Sequence, residues 1–296
     1  MGNRLKRIGL LILTNLFIMI GIYVLLFILE KYFNISLGGN YLGILFYGVI
    51  IGFGGAIVSL MMSKMTAKRM YGIQSIDPVL LATYPRKLQN VYNIVQRITH
   101  EKMIPMPEIG YYDSQEVNAF ATGATKSSAL VAVSTGLLDS MDDEQISGVI
   151  GHEMAHIING DMVTMTLLQG IMNTFVFFLS RLIAGGRGDD EGRSSYNPLI
   201  ALLCEVLFGI LGSIVVNQFS QYREYKADEG SAKFLGKQPM ISALQKLMTI
   251  SDEAHVPHDE FATMKIFGGK RMRMDIFATH PSLPKRIERL KHSPIT

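Results

Sequence analysis

Within "GVIGHEMAHIINGD", residues 148–161, two histidines stand four positions apart with a glutamate directly after the first. On a helix that spacing sends the imidazoles of His152 and His156 off one face, where both can grip a single metal ion. Glu153 is rotated from His152 by about 100° and can reach a water on that ion. The H-E-x-x-H order is that of zinc peptidases, and it predicts one Zn2+ per chain with Glu153 as general base. A chance spacing of two surface histidines is the competing account. Hydrolysis needs a third protein ligand and one corner open to water. The metzincin pattern would place a glycine at position 159 and a histidine at 162; Asn159 and Met162 stand there, which excludes that class.

The third ligand must come from elsewhere. In "NQFSQYREYKADEGSAKFLG", residues 217–236, Glu224 and Asp228 lie four apart on one helix face. Apolar runs follow the histidines and precede these acids. If the two runs form an antiparallel hairpin, His156 and Glu224 both fall roughly 9 to 12 Å from one membrane surface. Glu224 is then the expected third ligand, and Asp228 is placed to accept from the free ring nitrogen of a ligating histidine. The alternative is that both are solvated helix acids.

Positioning these groups requires a helix under the motif. "LLDSMDDEQISGVIGHEMAH" predicts one that starts with Ser140 as N-cap, acids in the first turn and Asp143 as a weak capping-box partner. Upstream, "TYPRKLQNVYNIVQRITHEKM" puts Leu88, Val91, Val95 and Ile98 on one face of an amphipathic helix. "EIGYYD", "VNAFATG" and "SALVAVS" read as strands of a small sheet. Asn118, Ala119 and Phe120 could pair with an extended substrate through main-chain hydrogen bonds, the other reading being an ordinary core strand.

Composition places the whole in a membrane. Of 296 residues 48% are apolar, while the net charge of +3 is too small to argue for nucleic acid as a partner. The single cysteine, Cys204, excludes an intrachain disulfide. Four apolar runs, Ile8–Leu29, Tyr41–Met62, Met162–Ile183 and Leu199–Val216, are long enough to span. The first is read as an uncleaved anchor and not a signal peptide. For the last two a buried helical hairpin is the alternative, because Arg181 and Glu205 fall within them; Arg181 can snorkel and Glu205 should face other helices or water. Arg4, Lys6 and Arg7 precede the first run and Lys64, Lys68 and Arg69 follow the second, against Lys31 alone between them. Both outer flanks, and with them the histidines, are therefore expected in the cytoplasm.

"GHEMAH", "REYKAD", "VNAFATG" and "ATHPSLPKRIERL" together resemble the HtpX family of membrane-bound zinc endopeptidases, related to the type-one CAAX prenyl proteases. The likeness runs in order through the whole chain. It implies zinc ligation by His152, His156 and Glu224, with Glu153 as catalytic base. His280 resembles the family's late histidine near the metal; it is taken as the oxyanion donor, with a structural histidine before a proline turn as the other reading. Arg286 is expected as a surface helix charge, the options being contact with substrate or with a buried acid. Gln221 stands where the family usually has an arginine, two residues before the R-E pair, which puts a charge-pairing role there in doubt.

The fold expected is a mainly α membrane protein with a small β-sheet, a gluzincin-like zinc metallopeptidase domain on a four-helix transmembrane anchor. Residues 1–62 would hold two membrane helices, 63–161 the peptidase region with the motif helix, 162–216 a membrane hairpin with polar loop 184–198, and 217–296 the region with the third ligand. The resemblance implies cleavage of damaged or misfolded membrane proteins at cytoplasmic segments, in a multi-pass chain of the cell membrane. Protein substrates and the lipid bilayer are the expected partners. A CAAX-type prenyl-protein protease and a non-enzymatic membrane zinc-binding protein are the alternatives. A zinc transporter would carry its ligands within the spans, whereas Asn159–Asp161 separate this site from the apolar run.

Overall fold

The computed structural model describes residues 41–185, 197–253 and 278–295. The first apolar run, Ile8–Leu29, and residues 186–196 of the polar loop lie outside the described residues. The described residues divide into two compact units, residues 41–59 with 165–185 and 197–216, and residues 60–164 with 217–253 and 278–295.

The first unit is built from apolar helix. The described residues contain three helices long and apolar enough to cross a membrane: α1 (Tyr41–Tyr71), α5 (Asp161–Ala184) and α6 (Pro198–Leu235). Glycine allows α1 to lie against α5, since a Cβ at Gly52 would fall 2.3 Å from Thr174 Oγ1 and 2.6 Å from its backbone nitrogen. The Thr174 hydroxyl lies 2.8 Å from the Gly170 carbonyl and 3.1 Å from that of Gly48, within the helix and across the crossing. Arg181 and Glu205 meet each other at 3.3 Å, so the two charges in the apolar runs are mutual partners. Phe46, Phe175, Leu203, Val206, Leu207 and Leu211 are exposed, the outward face that hydrocarbon would cover.

The second unit begins with the sheet. β1 (Gln74–Ser75), β2 (Glu108–Tyr112), β3 (Ala119–Thr122) and β4 (Leu130–Ser134) lie in the order β1-β2-β4-β3. β2 and β4 run parallel and the other pairs antiparallel. All five residues of β4 are buried, as a central strand demands, while β3 stands at an edge. β1 is too short to show an alternating pattern, and the sequence offers no sign of it.

α2 (Arg86–Lys102) buries Leu88, Val91, Ile94, Val95 and Ile98, the apolar face expected, against α4 (Asp143–Asn159). Between sheet and α4 the chain inserts a separate short helix, α3 (Thr135–Ser140), started by the Ser134 hydroxyl, which accepts from the Leu137 amide at 3.0 Å. Ser140 is therefore the end of α3 and not the cap of the motif helix. Met141 is extended, and the cap is Asp142, whose carboxylate accepts from the Gln145 amide at 2.8 Å while the Gln145 side chain accepts from the Asp142 amide at 3.1 Å. The reciprocal D-x-x-Q pairing outcompetes S-x-x-D because glutamine reaches back where aspartate is too short.

α4 packs along α7 (Lys237–Glu253), and α7 in turn holds α8 (Leu283–His292) through Met240, Ile241, Leu244, Ile287 and Leu290. Gly148 makes the α4–α7 approach possible: a Cβ there would lie 2.4 Å from the Pro239 carbonyl oxygen and 2.5 Å from its carbon. Both are backbone atoms and neither can step aside. Gly148→Ala is expected to destabilise by about 1–3 kcal/mol, the usual size for overpacking, and to lower the melting temperature of the detergent-solubilised chain; an unchanged melting curve would contradict this packing.

Candidate metal centre

Three elements of the second unit converge on one point. α4 supplies His152 and His156, four apart and both buried; α6 supplies Glu224 and Asp228, also four apart and 1% exposed each. Ser231 ties the two helices, its hydroxyl donating to the Gly148 carbonyl at 2.7 Å. α8 completes the group with Arg286, at its fourth position, and the turn ahead of it carries His280.

Glu224 faces both rings. Its Oε2 lies 3.3 Å from His152 Nε2, its Oε1 3.3 Å from His156 Nε2, and the two Nε2 atoms are 3.1 Å apart. Ligands at about 2.0–2.2 Å from a tetrahedral ion stand about 3.3–3.6 Å from one another; each Glu224 oxygen lies at that distance from one ring, and the two Nε2 atoms are slightly closer together. Glu224 Oε1 is buried and accepts no hydrogen bond among the described residues, which a cation would remedy. The donor set therefore fits a metal ion. Of all groups of histidine, cysteine and acid among the described residues, His152, His156 and Glu224 alone bring ligand atoms together in this way.

The outer nitrogens are fixed. His152 Nδ1 lies 2.9 Å from Asp228 Oδ1, and His156 Nδ1 2.5 Å from Asp161 Oδ2, which orients Nε2 of both rings to the centre. Burial disfavours the His152 imidazolium, yet its bonds to Asp228 and Glu224 hold its pKa up at about 9. His156 is shifted the same way, burial opposing and Asp161 and Glu224 prevailing. Glu224 lies in the polar part of α6 beyond Val216; burial would raise its pKa, but the three histidines hold it well below the ordinary carboxylate range. Three buried carboxylates, Glu224, Asp228 and Asp161, thus face the two rings, and Arg286 offsets one of them.

Arg286 is not a surface charge. It is 8% exposed and holds Asp228 with two donors, Nε to Oδ2 at 2.8 Å and a terminal nitrogen to Oδ1 at 2.6 Å. Burial works against the guanidinium, and the charges of Asp228, Glu224 and Glu153 more than compensate. The bidentate pair keeps Asp228 ionised and aimed at His152. Asp228→Asn, with its shape kept and its charge gone, is expected to weaken metal binding 10–100-fold by competitive chelation at fixed pH; wild-type affinity would refute the positioning role.

Glu153 is the one residue of 151–157 that is not buried. It accepts no hydrogen bond among the described residues, and its charge acts on the nearby Arg286. His280 Nδ1 lies 2.9 Å from Glu224 Oε2, at the centre as expected. Gln221 Nε2 donates to the Ala278 carbonyl at 2.8 Å, pinning the segment that leads to His280, so the position works here as an amide donor to main chain. Sequence reasoning missed Asp161. Its place depends on Gly160, whose left-handed φ of 72° ends α4 and lets α5 begin at once, turning Asp161 back to His156; "NGD" directly after the motif was the available signal.

β3 packs beside α4. Asn118 accepts from the Ser134 amide, and with Phe120 opposite Ala132 the main-chain groups of Asn118 and Phe120 point to β4. By the same alternation the groups that face the open edge belong to Ala119 and Ala121. The Phe120 ring packs on Tyr71 and Tyr112, so its side chain serves the core.

Residues 85–293 match peptidase family M48. "Protease HtpX" of Tolumonas auensis is 43% identical over 97% of this chain and 99% of its own length. The protein of the same name from Actinobacillus pleuropneumoniae serotype 5b is 44% identical over 97% and 99%. The crystal structure of S. mikatae Ste24p superposes with a TM-score of 0.67 at 16% identity, over 96% of this chain; the chain spans 65% of that structure's length. At that identity the likeness is one of fold.

Proposed function

This chain belongs to peptidase family M48 and is a metalloprotease, and from that membership we propose that it is a zinc endopeptidase of the cell membrane that cuts misfolded membrane proteins at their cytoplasmic segments. The observation that carries the metal assignment is the convergence of His152, His156 and Glu224, each with one ligand atom within 4.8 Å of the others, with Glu153 only partly buried beside them. Zinc held by these three would supply Lewis acidity that activates water and polarises a peptide carbonyl.

The chain's own groups do the rest. Ala119 and Ala121 offer outward main-chain donors and acceptors on which an extended substrate adds as a further strand, alongside the helix that bears the base. Glu153 takes the proton from the attacking water and returns it to the departing amine, so no covalent enzyme intermediate is needed. His280, with Nδ1–H given to Glu224, can donate from Nε2 to a developing oxyanion when the ring carries both protons. Asp161, Asp228 and Arg286 hold the ring nitrogens in place.

Zinc content and casein cleavage test the reading together. The full-length chain in detergent is expected to hold one zinc per chain by elemental mass spectrometry, to lose cleavage on chelation and to regain it with added zinc. Cleavage that survives complete removal of metal would overturn it. Labelling of single cysteines on the 1–7 and 64–69 flanks in intact cells checks the cytoplasmic orientation, expected from their lysines and arginines.

A further inference from the structure

Two amides stand exposed in the middle of an apolar helix. Gln169 and Asn173 lie seven and eleven residues past Met162, where the apolar run of α5 begins. At about 1.5 Å per residue they sit about 10 and 16 Å into a hydrocarbon core about 30 Å thick. Gln169 Nε2 donates to Asn173 Oδ1 at 2.8 Å, and Asn173 Nδ2 has only a long contact, 3.5 Å, to the Gly52 carbonyl. Among the described residues the Gln169 carbonyl oxygen accepts nothing. An amide oxygen left bare to hydrocarbon is costly, so it calls for a donor.

The neighbours of these amides shape a cleft. On α5, Gly170 and Thr174 face α1: a Cβ on Gly170 would strike the Phe53 ring at 2.5 Å, and one on Gly52 would strike Thr174. Met172 and Val176 face α6, beside Gly212. At about 100° per residue Gln169 and Asn173 fall between these two lines of contact. They floor an open gap over α5, flanked by α1 on one side and α6 on the other.

What fills the gap must be a helix with a polar group at this depth. A second copy is excluded by shape, since its own α1 and α6 flank the same face and would meet their counterparts first. The first apolar run, Ile8–Leu29, is tethered to α1 by residues 30–40 and holds one amide, Asn15, seven residues past Ile8. No apolar run lies between α1 and α5, so with the first two runs crossing, the first run and α5 enter from the same face of the bilayer. Asn15 and Gln169 then share one depth, about 10 Å from that face. We propose that the gap on α5 receives the first apolar run, with the Asn15 amide donating to the Gln169 carbonyl oxygen. Polar pairs of this kind hold membrane helices together. The packing depends on the runs crossing and not on the peptidase reading.

The test keeps the full-length chain in isolated membranes, with Cys204→Ala to remove the native thiol. Ile12 and Thr166 each lie four residues past the start of their runs, one turn from the amide pair. Ile12→Cys/Thr166→Cys is expected to form a disulfide within one chain on mild oxidation with copper phenanthroline, read by peptide mass spectrometry and a non-reducing gel. Ile12→Cys/Leu167→Cys is expected to form none, because Leu167 is turned about 160° from Gln169 and is 47% exposed. A double-mutant cycle in detergent reads the amide pair itself. Asn15→Leu/Gln169→Leu is expected to be more stable than the two single effects sum to, by roughly three- to fifteen-fold in the unfolding equilibrium. A disulfide joining two chains assigns the gap to a second copy and overturns the proposal. So do equal oxidation of the 166 and 167 pairs, the absence of any disulfide, and single effects that simply add.

Discussion

Glu153→Gln is expected to leave the chain folded and its metal in place while lowering kcat by about 10²–10⁴, the range of a lost general base. The amide keeps the size and the partly buried position of the carboxylate but cannot take a proton from water. His152 and His156 are held by Asp228, Asp161 and Glu224, none of which contacts Glu153, so ligation should persist. Metal content and turnover must therefore separate. Turnover within a factor of a few of wild type, in a sample whose zinc content is verified, would remove Glu153 from the mechanism.

Glu224→Ala is expected to do the opposite and lose metal and turnover together. It deletes one of three ligands and leaves His152 Nε2 and His156 Nε2, 3.1 Å apart, with no carboxylate to balance a cation. It also strips His280 Nδ1 of its partner at 2.9 Å and Arg286 of a nearby negative charge. Bound zinc should fall from one per chain to near none after dialysis, with at least a thousand-fold loss of cleavage; Glu224→Asp should recover part of the metal and little of the rate, because the shorter arm pulls the oxygens away from the rings. Full zinc occupancy in the alanine variant would show that the third ligand lies elsewhere. The two variants together distinguish a group that holds the ion from one that works beside it.

How much of this was legible follows from how local each signal is. His152, Glu153 and His156 are readable because a helix turns spacing directly into direction, and the buried face of α2 is readable for the same reason. Glu224 could be reached by assuming that the two apolar runs return as an antiparallel hairpin, which brings the acids of α6 back toward the histidines. Arg286 could not: "PKRIERL" is what a solvated helix also looks like, and only the packing of α8 on α7 decides which cation turns inward. The start of α4 was misplaced at Ser140 because two capping patterns overlap within three residues, and the extended backbone of Met141 decides between them. β3 was legible as a strand, but its place at the sheet edge, and hence the outward alanines, depends on pairing order, which no short-range pattern encodes.

The bidentate grip of Arg286 on Asp228 has a consequence for synthesis. A nascent chain exposes the motif histidines, the two acids of α6 and every apolar run before α8 leaves the ribosome, about 60 residues after Asp228. Until then Asp228 lacks the guanidinium that aims it at His152. The pocket around Asp228 is therefore completed only when α8 docks.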